Sequence, residues 1–130
     1  MENTKTFPDI ALGTWSWGVG AAGGDQVFGN HLGKEELKAV FDAGMKAGLN
    51  LWDTATVYGM GASEEILGAF VKGCPDEEVI LSAKFTPQIA GDGADPVADM
   101  CEASMERLGT DCIDLYWIHN PADVERWTPG

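Results

Sequence analysis

The chain has 130 residues, a common size for one domain, and its 45% hydrophobic and 22% charged fractions are those of a soluble globular protein that buries a core. A formal net charge of −13 with only 8 lysines and arginines argues against a nucleic-acid partner, which needs clustered basic side chains. The longest uncharged stretch, Ile10 to Gly24, is too short to span a bilayer, and no basic segment precedes an apolar one at the start, so neither a membrane span nor a secretory signal is expected.

In chain order, a first strand is expected around Ile10–Ser16, followed by a glycine-rich loop from Gly18 to Gly33 with no helix before Lys34. The helix that follows carries Leu37, Val40, Phe41 and Met45 as an apolar stripe at 3.6-residue spacing, and Gly48 ends it. Leu49 to Thr54 reads as a short second strand. Ser63, followed by Glu64 and Glu65, marks a helix start with a hydroxyl cap and acids that complement the dipole. Ile66, Leu67, Phe70 and Val71 form that helix's buried face, and Gly73 stops it.

Val79 to Phe85 is the third strand. Asp95 and Pro96 open the third helix, with Val97, Met100, Cys101, Ser104 and Leu108 on one side and Gly109 beyond its end. Cys112 to His119 is the fourth strand, after which Pro121 to Gly130 stands where a fourth helix would begin. Repeated strand–helix units of about 30 residues indicate a parallel sheet and an α/β class. They leave open whether the sheet is a barrel segment or doubly wound. Ligand groups drawn from several strands favour a barrel, although a complete one usually needs about 250 residues.

Cys74, Cys101 and Cys112 are odd in number and form no CxxC pair, so a disulfide framework is not expected and a reducing, cytoplasmic location is. His31 and His119 lie far apart without a zinc-type spacing, so no metal site is expected. Gly18, Gly20 and Gly23 match GxGxxG after a strand. A dinucleotide fingerprint should open a helix directly, whereas more glycines follow here, and a flexible active-site loop fits better.

Four residues stand out against this background. Asp53, Tyr58, Lys84 and His119 each fall at or just past the far end of a strand. An unpaired charge in a buried strand costs several kcal/mol, so such groups persist mainly when paired or functional. Lys84 shares strand parity with Ile80 and Ser82, and His119 shares it with Leu115 and Trp117, which makes these the inward candidates. Each group alone has a bland reading, as a cap, a turn aromatic, a snorkelling lysine or a satisfied histidine. Together they indicate one convergent site.

The segments that carry these residues resemble the aldo-keto reductase family: LGTWSWG at the first strand, LNLWDTATVYGMGASEEILG across the second, ILSAKF at the third and SMERLGTDCIDLYWIHNP at the fourth. The resemblance implies the N-terminal half of a (β/α)8 TIM barrel, with about four parallel strands and three helices, residues 1–130 forming one truncated oxidoreductase domain. It implies NADPH-dependent reduction of aldehydes or ketones to alcohols, without metal or flavin. The family's tetrad falls on Asp53, Tyr58, Lys84 and His119, and Thr14, Trp15 and Asp53 fall where the nicotinamide half of the cofactor is approached. By this resemblance Tyr58 is the general acid, Lys84 the ammonium beside it, Asp53 the group that holds Lys84, and His119 the group that positions the carbonyl.

The family's later strands, which hold the cofactor phosphates, have no counterpart in these residues. A silent half-barrel and a binding module of the same fold are the competing readings, and the intact tetrad argues against the second. An uncovered inner face, with Leu49, Leu51, Ile80, Leu115 and Trp117, leads to an expectation of self-association.

Overall fold

A computed structural model describes residues 5–29 and 31–119. Four strands, β1 (Leu12–Gly13), β2 (Leu51–Asp53), β3 (Ile80–Phe85) and β4 (Leu115–Ile118), form one parallel sheet in the order β1-β2-β3-β4. Each strand pairs with its predecessor in sequence, so among the described residues the order never reverses and the sheet shows no switch point. That is the arrangement of a barrel segment, not of a doubly wound sheet. Among the described residues, β1 and β4 are the edges.

The strands are shorter than the sequence suggests, two residues for β1 and four for β4. The ends of their apolar runs turn away into loops that still pair with a neighbour. Thr54 and Thr56 donate their N–H groups to Ser82 and Lys84 of β3, and His119 donates to Phe85. The pairing therefore continues past the formal strand ends, where the candidate residues lie.

Four α-helices occur among the described residues, one more than expected. The addition is α1 (Gly24–Phe28), inside the glycine-rich loop. It is possible because Gly24, at φ 49°, lies against the Gly18 carbonyl where no side chain would fit. The loop is also tied down: Gly24 and Asp25 donate to the carbonyls of Trp15 and Gly18, and Trp15 Nε1 donates to Ala22 O at 2.8 Å.

The other helices are α2 (Lys34–Lys46), α3 (Ala62–Val71) and α4 (Pro96–Leu108). Leu37 and Phe41 of α2 are buried as the spacing predicts, but Val40 is half-exposed, so the stripe is narrower than the sequence suggests. Asp95 caps α4 by accepting the Ala98 N–H, and Gly109, left-handed, ends it. Residues 121–130, where a fourth helix was expected, lie outside the described residues.

Two expectations need correction. Ser63 is not the cap of α3. That place belongs to Gly61, at φ 99°, while Ser63 is wholly buried inside the first turn. Ile80, expected on an uncovered inner face, is fully buried, whereas Trp117 on the same face is half-exposed.

The core lies between the sheet's outer face and the helices. Phe41 stacks on Trp52 at 4.9 Å, and Trp17 and Phe70 close around them. Gly44 lets α2 approach Trp52, and Gly68 lets α3 approach the backbone of Leu108. At the opposite end of the sheet from the site, Asp114 accepts the Leu81 N–H and pairs with Lys5, whose ammonium also reaches Val79 O. No helix among the described residues is long and apolar enough to cross a membrane.

Candidate active site

The carboxyl ends of β2, β3 and β4 bring the four singled-out residues together. Lys84, near the end of β3, extends its ammonium to Asp53 Oδ2 at 2.6 Å and to Thr54 O at 3.0 Å. The other carboxylate oxygen of Asp53 accepts from Ser82 Oγ at 2.9 Å, and Ser82 Oγ in turn accepts from Trp117 Nε1 at 2.9 Å. The carboxylate is therefore held at both oxygens, and the pair is partly buried. An ion pair in such a setting is screened less than a surface pair and fixes both side chains.

Tyr58 opens the short 3-10 turn Tyr58–Gly61 between β2 and α3. The Lys84 ammonium lies 5.3 Å from its ring centre, His119 meets it edge-on at 5.7 Å, and Trp15 lies 6.1 Å away on β1's side. Trp15, Ala22, Val57, Tyr58 and His119 line a cleft of about 200 Å³. A larger depression, about 530 Å³, lies on the outer face of α4 among Asp99, Glu102 and Glu106, far from these groups. The cleft, not the depression, gathers the groups able to hold a carbonyl oxygen and hand it a proton.

Burial lowers the pKa of His119 below the ordinary histidine value of 6.5; the Lys84 ammonium lowers it further, and Asp53 opposes them. Thr86 Oγ1 sits 3.3 Å from His119 Nδ1. With the hydroxyl donating, the ring is neutral and carries its proton on Nε2. As pH falls, the unfolded chain takes up this proton before the folded chain does. The linkage thus favours folding above pH 6.5, and that contribution is lost as pH falls below it. In an NMR titration the His119 ring is expected to reach its midpoint below 6.5. A midpoint at or above that value would contradict the environment described.

Tyr116, the only other tyrosine, does not enter the cleft. It stacks on Phe85 at 5.7 Å, and burial, with Cys101 and Glu64 adding, pushes its phenol well above the usual range.

The residues expected at the nicotinamide end divide. Trp15 is half-exposed and borders the cleft, and Asp53 is partly exposed beside Lys84. Thr14 is fully buried, with its hydroxyl donating to Asp53 O at 3.1 Å and accepting from Ser63 Oγ at 2.7 Å. Thr54 Oγ1 adjoins the same serine at 3.3 Å. Sequence reasoning missed this hydroxyl chain and the parts played by Ser82, Thr86 and Trp117. Strand parity placed Ser82 and Trp117 on the inner face but carried no sign of their bond. Nothing local marked Thr86.

Comparison with known proteins gives a consistent result. The model of the Aldo/keto reductase family matches residues 9–126. The aldo-keto reductase str7 of Strobilurus tenacellus is 37% identical over 111 residues, covering 83% of this chain and 32% of that protein. The methylglyoxal reductase YeaE of Escherichia coli is 36% identical over 114 residues, covering 88% of this chain and 36% of that protein. A crystal structure of an aldo/keto reductase from Klebsiella pneumoniae, in complex with NADP and acetate, superposes with a TM-score of 0.71 at 36% identity, covering 91% of this chain and 37% of that one. The chain thus spans about a third of the length of the relatives it matches, and its four strands are a part of a (β/α)8 barrel. From the sequence match across nearly all its residues and the parallel sheet in barrel order, the chain belongs to the aldo/keto reductase family.

Proposed function

We propose that this chain carries the proton-transfer site of an NADPH-dependent oxidoreductase that reduces aldehydes and ketones to alcohols. The observation that carries the reading is that Tyr58 and His119 line one cleft, with the Lys84 ammonium 5.3 Å from the Tyr58 ring centre and paired to Asp53 at 2.6 Å. The cofactor, when bound, supplies hydride to the carbonyl carbon.

The chain's own residues handle the oxygen. His119, neutral and protonated at Nε2, donates to the carbonyl oxygen and holds it beside the Tyr58 hydroxyl. Tyr58 then gives its proton to that oxygen as negative charge develops on it. Hydride and proton together convert the carbonyl to an alcohol. The Lys84 ammonium, 5.3 Å from the ring centre, stands near the charge that the transfer leaves on Tyr58, and Asp53 holds that ammonium in place at 2.6 Å. Trp15, which lines the cleft, and Asp53, which pairs with Lys84, fit the nicotinamide end of the cofactor, and Thr14 supports them by fixing the backbone of Asp53.

The test is carbonyl-dependent oxidation of NADPH by a barrel in which the remaining strands complete this chain, assayed against a panel of aldehydes and ketones. Steady loss of reduced cofactor only when carbonyl is present is the expected result. Cofactor binding with no turnover of any carbonyl would favour a binding module of the same fold.

A further inference from the structure

On the helix side of the sheet, away from the cleft, an ion pair joins α3 to α4. Glu64 is wholly buried, and its Oε1 accepts from Arg107 at both Nε, 2.9 Å, and the terminal Nη2, 2.8 Å. The second carboxylate oxygen, Oε2, has no hydrogen-bond partner among the described residues, so Arg107 is the cation that balances this charge. The same Nη2 lies 3.3 Å from Ser104 Oγ, which meets Thr56 Oγ1 at 3.2 Å.

These contacts bracket Tyr58. Thr56 precedes it by two residues and is reached through Ser104. Gly61 follows it by three and lies directly on the arginine stem, where a Cβ would come within 2.9 Å of Arg107 Cδ. Between them the backbone is left-handed at three consecutive residues, Gly59 at φ 62°, Met60 at φ 51° and Gly61 at φ 99°. A non-glycine residue such as Met60 holds that conformation only where its surroundings impose it.

We propose that Arg107, held by the buried carboxylate of Glu64, is a positioning residue that fixes the segment carrying Tyr58. A buried ion pair adds little net stability compared with an apolar pair of the same shape, so the consequence of this one is geometric. The planar guanidinium suits the task. It binds Glu64 through two donors and reaches Ser104 while its stem supports Gly61, and a lysine ammonium cannot do all of these at once. The consequence for turnover rests on the proposed role of Tyr58; the consequence for the loop does not.

The experiment uses Arg107→Lys, which keeps the charge near Glu64, and Ser104→Ala, which deletes only the hydroxyl between Arg107 and Thr56. Hydrogen exchange of the amides of Thr56, Tyr58 and Met60, bonded to Lys84 O, Ala55 O and Val57 O, is compared with that of β3. In both variants the loop amides are expected to exchange about tenfold faster while β3 changes less than about twofold. Equal acceleration in both places overturns the inference, because the pair then serves the whole domain, and so does no acceleration in either. In a completed barrel, Arg107→Lys is expected to lower kcat about tenfold and leave the cofactor's KM within about twofold. An unchanged kcat there also overturns it. Failure of the proton-donor reading registers separately, as normal turnover by Tyr58→Phe.

Discussion

Tyr58→Phe is expected to lower carbonyl reduction by about 10²–10⁴-fold in a barrel completed by the remaining strands, the range in which general acid catalysis contributes, with NADPH binding retained. Such a loss corresponds to roughly 3–5 kcal/mol of transition-state stabilisation. The substitution removes one oxygen and keeps the ring. The ring's edge contact with His119, its neighbour Trp15 and its place under the Lys84 ammonium involve no hydroxyl and persist. No second tyrosine can stand in, because Tyr116 is on the other side of the sheet, packed against Phe85. Stopped-flow or steady-state loss of NADPH absorbance measures the rate, and quenching of tryptophan fluorescence measures cofactor binding. Turnover by the variant close to that of the parent would remove Tyr58 from the role assigned to it. Lost cofactor binding would instead mean that the ring, not the hydroxyl, is what the site needs.

A polypeptide of these 130 residues alone is expected to self-associate and to turn over no carbonyl at a measurable rate. Among the described residues β1 and β4 are both sheet edges, and an edge presents unpaired N–H and C=O groups to other chains. The side facing the interior of a barrel is only partly covered: Trp117 is 52% exposed and Trp15 46%, and Leu51 and Leu115 are partly exposed. Covering apolar surface contributes about 25 cal/mol per Å², so a few hundred Å² amounts to several kcal/mol, comparable with the whole stability of a small domain. A second copy that covers this face recovers that energy, and aggregation does so less specifically. NADPH affinity is expected to be weak in either state, since this chain spans about a third of the length of the relatives it matches. Light scattering with a fluorescence titration of NADPH decides the matter. A stable monomer that binds NADPH at micromolar concentration and reduces an aldehyde would show that the functional unit is this chain alone.

The sequence by itself determined the alternation of strand and helix, the positions of the helix stops and the convergence of Asp53, Tyr58, Lys84 and His119. These are local signals: apolar spacing in α3, glycine at Gly48 and Gly109, and ionisable groups at the ends of apolar runs. Strand parity also set Lys84 and Ser82 on one face, because side chains alternate along a strand whatever its partner.

Tertiary structure decided what those groups touch. Ser63 reads as a helix cap in sequence, yet it lies buried with its hydroxyl directed to Thr14, 49 residues away, because α3 packs its first turn onto the end of β1. Val40 continues the apolar stripe of α2 but is half-exposed, since periodicity sets a side chain's direction and not what stands opposite. The two oxygens of Asp53 divide between Ser82 and Lys84, and Arg107 reaches Glu64 across 43 residues of chain, through parallel pairing and helix packing that join segments distant in sequence. Periodicity and propensity act over a few residues, whereas a hydrogen bond forms only where packing brings donor and acceptor within about 3 Å.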